Sequence, residues 1–553
     1  MALRMVTFLW ANRPFGPTGL YRAARDRTTS GGLRWFGPFG VTIPFAVLIA
    51  TSAFGQEAEP LPQGATPVDV ASADPAPTSD EPLLITTTTG FLDTRTTYSA
   101  VSVGKPMVAD NVPALANLTE ANMQLRLQWK DRAQGQADVS YIYQGGGFFY
   151  GRDASSGERV RVAAHDVSAL HPAALISELY GTLNLGSHAN LTMGKKRVVW
   201  GSGIAINPTD LLNPPKDPTD PTLQRAGSWL ARAEFPFDDF TVTFVGAAKV
   251  TRQFGGVPSA MVVYPDYPAA GQDSGDKLSH YALAARAYGL WRETDINLMY
   301  YFTNSYNDAF TDKSRVGLSL SHVFWNALEL HVDGIAQRGS SRFYFDKLDP
   351  TVLAAGNVAA LRTRLEDTDI RPKVLLGARW MPEDAGGKPL SFLLKDATFS
   401  LEYYYNGEGY SSTEFKEVGT ALTLMQKATA MGVTIPAGGS LFAAPGTTDP
   451  GSPQKFAFEP LRRHYLFLSY LRPMIYDDFT ASAVVILGAE DWSGQFAPSI
   501  AWSAQEWLSL TLAGFFTVPG MASQGTTVSG HSYSEYGLQP TDWRAFFSAR
   551  VFY

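Results

Sequence analysis

From Leu83 to the C-terminus, apolar and polar residues exchange places at every second position. Ala121, Met123, Leu125, Leu127 and Trp129 share one parity, and Asn122, Gln124, Arg126, Gln128 and Lys130 share the other. Glu329, His331 and Asp333 alternate with Leu330 and Val332. Trp229, Ala231, Ala233, Phe235 and Phe237 oppose Leu230, Arg232 and Glu234, and Ala397, Phe399, Leu401, Tyr403 and Tyr405 oppose Asp396, Thr398, Ser400 and Glu402. A strand points successive side chains to opposite faces, so each segment predicts a strand with one apolar and one polar face. No stretch carries a long helical period.

The connections sort into two kinds. Short ones fall near 186–189, 237–239, 292–295 and 326–327. Long ones fall at 151–173, 202–226, 251–276, 341–368, 411–460 and 521–540. Strands between them number about 18, within a range of 16 to 18, and an even count suits a bacterial outer-membrane barrel. Short turns on one side and long loops on the other are the layout of such a barrel. A soluble sandwich has no need to sort its loops this way. The expected fold is therefore all-β, a transmembrane antiparallel up-and-down barrel over residues 83–553, with one strand at 190–201 and another at 395–410.

Composition narrows the alternatives. The chain has 553 residues, of which 18% are charged and 12% aromatic; soluble domains carry roughly 25% charge. The absence of cysteine removes disulfide scaffolds, thiolate metal sites and cysteine nucleophiles. Mean hydropathy is -0.09, too low for a bundle of membrane helices but in keeping with strands that alternate.

Residues 1–55 hold six arginines against Asp26, then an apolar run from Phe39 to Ala50 and the small residues Ala53 and Gly55. Basic region, short apolar core and small cleavage site read as a secretory signal peptide. Residues 56–82 are rich in Pro, Ala and acids and read as a flexible linker. Removing residues 1–55 leaves the remainder more acidic than the whole chain's net -7, which speaks against nucleic acid as a partner.

At the other end, Trp543, Ala545, Phe547, Ala549, Val551 and Tyr553 make an apolar face that ends on an aromatic residue. This resembles the C-terminal recognition strand of Gram-negative outer-membrane barrels. The resemblance implies that Trp543, Phe547, Val551 and Tyr553 form the signal that the barrel-assembly machinery reads. It places the protein in the outer membrane, in contact with lipid and lipopolysaccharide.

One segment breaks the alternation. Gly194-Lys-Lys-Arg-Val-Val-Trp-Gly201 is followed by Asn207-Pro-Thr-Asp210 and a run of Asn-Pro and Asp-Pro dipeptides, which start turns and hold the chain extended. Leu191–Glu234 resembles a group of porin-like outer-membrane proteins with a strand ending G-[KR]-x-R-x-x-W-G and then a loop with N-P-x-D. The resemblance implies a transport barrel. A stiff loop at 202–226 can fold inward as a constriction, with Asp210, Asp217 and Asp220 set against Arg197, Arg225 and Arg232. Trp200, Asn207 and Glu234 complete the candidate set. A second reading has Asn207, Asp210 and the prolines only capping turns.

The polar parity elsewhere includes Glu178, Arg286, Arg315, Glu329, His331, Asp333, Glu402, Arg544 and Arg550, with no dominant sign. That favours small polar or zwitterionic solutes over a strict phosphate channel, which would show a basic excess. The expected function is a porin-like diffusion channel. The alternatives are a polysaccharide-export or surface-binding barrel, and a structural barrel with a filled lumen. No catalytic residue, cofactor or metal is expected: the nucleophile-elbow and HExxH spacings are absent, and the Asp residues of the loop lack EF-hand spacing.

Overall fold

The computed structural model describes residues 84–101, 112–152, 159–163, 173–213, 227–248, 281–303, 313–325, 327–340, 344, 369–382, 394–430, 461–476, 478–539 and 541–553. All belong to one compact unit, Ala71–Tyr553. The expected signal segment 1–55 and linker 56–82 lie outside the described residues, as do Asp217, Asp220 and Arg225.

The chain lays down strands in sequence. β1 (Ile85–Val101), β2 (Val112–Trp129), β3 (Ala133–Arg152), β4 (Arg159–Ala163), β5 (Ala173–Asn184) and β6 (Asn190–Lys196) come first. β7 (Ser228–Pro236), β8 (Phe240–Ala248), β9 (Tyr281–Trp291), β10 (Thr294–Thr303), β11 (Lys313–Phe324) and β12 (Leu328–Arg338) follow. β13 (Ile370–Trp380), β14 (Thr398–Asn406), β15 (His464–Ile475), β16 (Phe479–Gly488), β17 (Gly494–Gln505) and β18 (Leu508–Val518) continue the wall. A small hairpin, β19 (Thr526–Val528) and β20 (His531–Tyr533), precedes β21 (Thr541–Phe552).

Every pairing between wall strands is antiparallel with a sequence neighbour, and β21 pairs with both β18 and β1, closing the sheet. β4 and β5 lie end to end along β3 and fill one stave, so the barrel has 18. Closure removes the unpaired edges that an open sheet presents, and in a bilayer it leaves no ladder amide without a partner.

Burial is inverted relative to a soluble protein. On β12, Glu329, His331, Asp333 and Gln337 are buried while Leu330 and Val332 are exposed. On β2, Asn122 is buried while Met123, Leu127 and Trp129 are exposed. The polar parity faces the interior and the apolar parity faces outward, toward lipid. Trp129, Trp291, Trp325, Trp380, Trp502 and Trp507 are exposed close to the short turns, where an indole sits best at the membrane–water boundary. One of the two-residue turns is Arg292-Glu293, with φ of 46° and 63°; two left-handed residues match the twist of the strands they join.

Two expectations need correction. The strand expected at 190–201 ends at Lys196. Gly194 takes φ 127° within β6, and the ladder runs on past it through Lys195 and Lys196. A Cβ at Gly194 would lie 2.2 Å from the Leu179 carbonyl oxygen. The loop expected at 411–460 contains a helix, α1 (Ser412–Ala430). It opens on a capping box: Ser411 Oγ accepts from Glu414 N at 3.3 Å, and Glu414 Oε2 accepts from Ser411 N at 2.7 Å. Phe415, Val418 and Leu422 bury one helical face, and Gly419 lets Thr526 and Thr527 of β19 approach.

Candidate functional site

After β6 the chain turns into the barrel instead of running on up the wall. Gly201, at φ 93°, makes the bend; a Cβ there would lie 2.1 Å from Thr209 Oγ1. The segment then closes on itself through the residues that the sequence singled out. Asn207 Nδ2 donates to the Trp200 carbonyl at 2.7 Å, and Asn207 Oδ1 accepts from Thr209 N at 3.2 Å. Asn213 Nδ2 lies 2.7 Å from the Val198 carbonyl and 2.6 Å from Asp210 Oδ1, and Val198 N donates to Asn213 Oδ1 at 3.1 Å. Asn207 and Asp210 thus hold the fold of the segment.

Apolar groups seat both ends. Trp200, Val198 and Leu212 pack on Leu230, Val245, Met299 and Tyr301, inner positions of β7, β8 and β10. Ala205 and Ile206 pack on Leu375, Tyr404, Tyr465 and Phe467, inner positions of β13 to β15. Between these contacts the backbone is clamped. Ser202 N and Gly203 N donate to Asp333 Oδ2 at 2.9 and 2.6 Å. Ile204 N donates to Glu402 Oε1 at 2.6 Å and Ala205 N to Glu402 Oε2 at 2.9 Å. His331 Nε2 lies 3.0 Å from Glu402 Oε1, a contact allowed by the missing side chain of Gly377 beside it.

Asp333 stands on β12 and Glu402 on β14, six and eight staves around the wall from β6, out of a maximum of nine. The segment therefore crosses the lumen. Four successive amides on two buried carboxylates are charge-assisted bonds, each worth roughly 1.5–3 kcal/mol.

Charge on the β5–β10 wall is mixed. Arg197 N donates to Glu178 Oε1 at 2.9 Å and its guanidinium lies 3.6 Å from Glu178 Oε2. Arg232 is paired with Glu234, two residues along the same inner face. The Lys196 ammonium sits 4.2 Å above the Tyr180 ring, and Arg286 Nε donates to Asn297 Oδ1 at 2.7 Å. Arg197 and Arg232 thus meet acids of their own wall rather than Asp210.

Sequence reasoning placed Asp333 and Glu402 on the polar parity but missed their role as the clamp. It also missed the pairing of Asp93 with Ser548 and with Arg550, the latter at 3.1 Å, on the interior of the β1–β21 seam. Trp543, Phe547, Val551 and Tyr553 all lie on the outward parity of β21, three of them exposed and Val551 partly so.

A closed 18-stranded barrel with an apolar exterior, a polar interior and indoles at one rim is a transmembrane barrel of the outer-membrane type. No family model matches the sequence, and no curated protein matches it. Solved structures match in strand architecture. Acinetobacter baumannii OccAB1 is 10% identical, with a TM-score of 0.44 over 84% of this chain and 96% of that one. Pseudomonas aeruginosa OccK2, solved with glucuronate, is 10% identical, with a TM-score of 0.41 over 85% and 97%. Salmonella typhi OmpF is 9% identical, with a TM-score of 0.36 over 85% and 97%.

Proposed function

We propose that the protein is a porin-like channel that lets small polar solutes cross the outer membrane, narrowed by the inward segment and its continuation through the Pro-rich stretch 202–226. The observation that carries this reading is the clamp of Ser202–Ala205 on Asp333 and Glu402, which holds backbone across the lumen. A solute must pass beside a fixed segment and a wall that carries Lys196, Arg232 and Arg286 together with Glu178 and Glu234. Charges of both signs in a narrow passage orient dipolar solutes and favour neither ion strongly. Outside, the Trp543–Tyr553 face serves as the assembly signal and then lies against lipid and lipopolysaccharide.

Single-channel conductance in planar bilayers tests the reading, with candidate solutes added to look for blockade. The double variant Asp333→Asn, Glu402→Gln weakens the clamp and is expected to raise conductance and current noise. Folded wild-type protein that passes no ions would sink the channel; a clamp variant that conducts like wild type would sink the constriction.

A further inference from the structure

The outward face of the barrel is apolar at mid-strand, but β1 and β2 depart from this. Thr94 and Thr96 point outward with Leu92 and Tyr98, and Asn117 and Thr119 point outward with Ala121 and Met123. The four side chains meet in pairs: Thr94 Oγ1 and Thr119 Oγ1 are 3.4 Å apart, and Thr96 Oγ1 donates to Asn117 Oδ1 at 3.1 Å. Their depth is set by β21, whose outer face runs from Trp543 to Tyr553. Thr94 pairs with Ala549 and Thr96 with Phe547, both between those two aromatic ends. On other staves the outward polar residues, such as Thr294, Ser314, His322 and His464, stand toward strand ends. The corresponding outward runs are Leu330, Val332, Gly334 and Ala336 on β12, and Leu508, Leu510, Leu512 and Gly514 on β18.

Hydrocarbon offers no hydrogen-bond partner, so donors and lone pairs left over after these two bonds carry a desolvation cost against lipid. We propose that the patch docks a second copy of the chain, in a parallel dimer about a two-fold axis along the membrane normal. Rotation about that axis keeps each residue at its depth, and a two-fold interface sets a patch against itself. A three-fold ring sets it against a different surface, which at this depth is apolar on the other described staves. Hydroxyls and a carboxamide both donate and accept, so the patch is complementary to itself. Ala121, Ala545 and Ala549 keep the floor low beside it, which lets two walls approach closely.

The chain has no cysteine, so one introduced thiol reports one contact. In native outer membranes under mild oxidation, Thr96→Cys and Asn117→Cys are expected to give disulfide-linked dimers, and Val332→Cys on the far wall none. A variant with Thr94→Val, Thr96→Val, Asn117→Leu and Thr119→Val keeps a lipid-compatible wall. It is expected to retain heat-modifiable migration while the extracted particle falls two-fold in protein mass. Equal crosslinking at all three positions overturns the proposal. So does a monomeric wild-type particle whose Thr96→Cys is freely labelled by a lipid-soluble maleimide, which makes lipid the occupant. Capture of a different polypeptide at Thr96→Cys also overturns it.

Discussion

The phenol of Tyr553, the last residue, donates to the backbone carbonyl of Asn122 at 2.6 Å. It reaches across β1 to β2 because Gly90 lies beneath it; a Cβ at Gly90 would stand 2.5 Å from the ring. Below the ring, Gly90 and Tyr553 exchange both backbone hydrogen bonds at 3.1 Å. The terminal aromatic thus fastens the closing seam as well as ending an apolar face.

Tyr553→Phe is expected to assemble but to lose about 1 kcal/mol, the net worth of one hydrogen bond. Gly90→Val forces the ring off the seam, and Tyr553→Asp sets a charge at the outward rim; both are expected to cut the folded yield. Heat-modifiable migration reports yield, and urea unfolding in detergent reports stability. Equal folded yields for Gly90→Val and wild type would discard the seam contact.

Arg232 and Arg286 stand on the inner wall beside the crossing segment. Neutralising both, as Arg232→Gln and Arg286→Gln, is expected to shift selectivity toward cations. Glu234→Gln with Glu178→Gln is expected to shift it toward anions. Reversal potential across a salt gradient is the measurement, and an unmoved value in both variants would put these charges outside the permeation path.

Glu535, in the connection between β18 and β21, is buried against the rim. Burial, with the nearby Asp491 charge, pushes its carboxyl up to about 7 from an ordinary 4.5, against the opposing pull of the Tyr465 hydroxyl. The folded state therefore binds the proton more tightly than the unfolded one. Docking of this loop is favoured below pH 4.5 and loses that advantage as pH rises through 7. Amide exchange over 526–539 is expected to be faster at about pH 8.5 than at about pH 5.5 once intrinsic rates are corrected, and Glu535→Gln is expected to flatten the difference. A wild-type protein with no such dependence would contradict the argument.

Ser411→Ala removes one half of the capping box and is expected to cost α1 about 1 kcal/mol. Gly419→Leu is expected to do more, because a Cβ there lies 1.9 Å from Thr526 Oγ1 and 2.5 Å from the Thr527 carbonyl oxygen. Limited proteolysis of the 411–430 segment in the folded barrel reads both. Protection equal to wild type in Gly419→Leu would mean that α1 does not depend on the β19 contact.

The existence and order of the wall strands, the inverted faces and the outward face of β21 were legible along the chain, because a strand alternates its side chains whatever it pairs with. Glu329, His331 and Asp333 could be assigned to the interior on parity alone. The capping box Ser411–Glu414 and the spacing of Phe415, Val418 and Leu422 were equally local signals of a helix, and the strand pattern around them hid it. The clamp was not legible. Ser202 meets Asp333 across 131 positions and Ile204 meets Glu402 across 198. Nothing local distinguishes those two carboxylates from the other acids on the polar parity. Closure of the sheet brings β12 and β14 around to face the end of β6, and Gly201 turns the chain inward to meet them. A hydrogen bond between segments so far apart in sequence exists only once the barrel has set the distance between its walls.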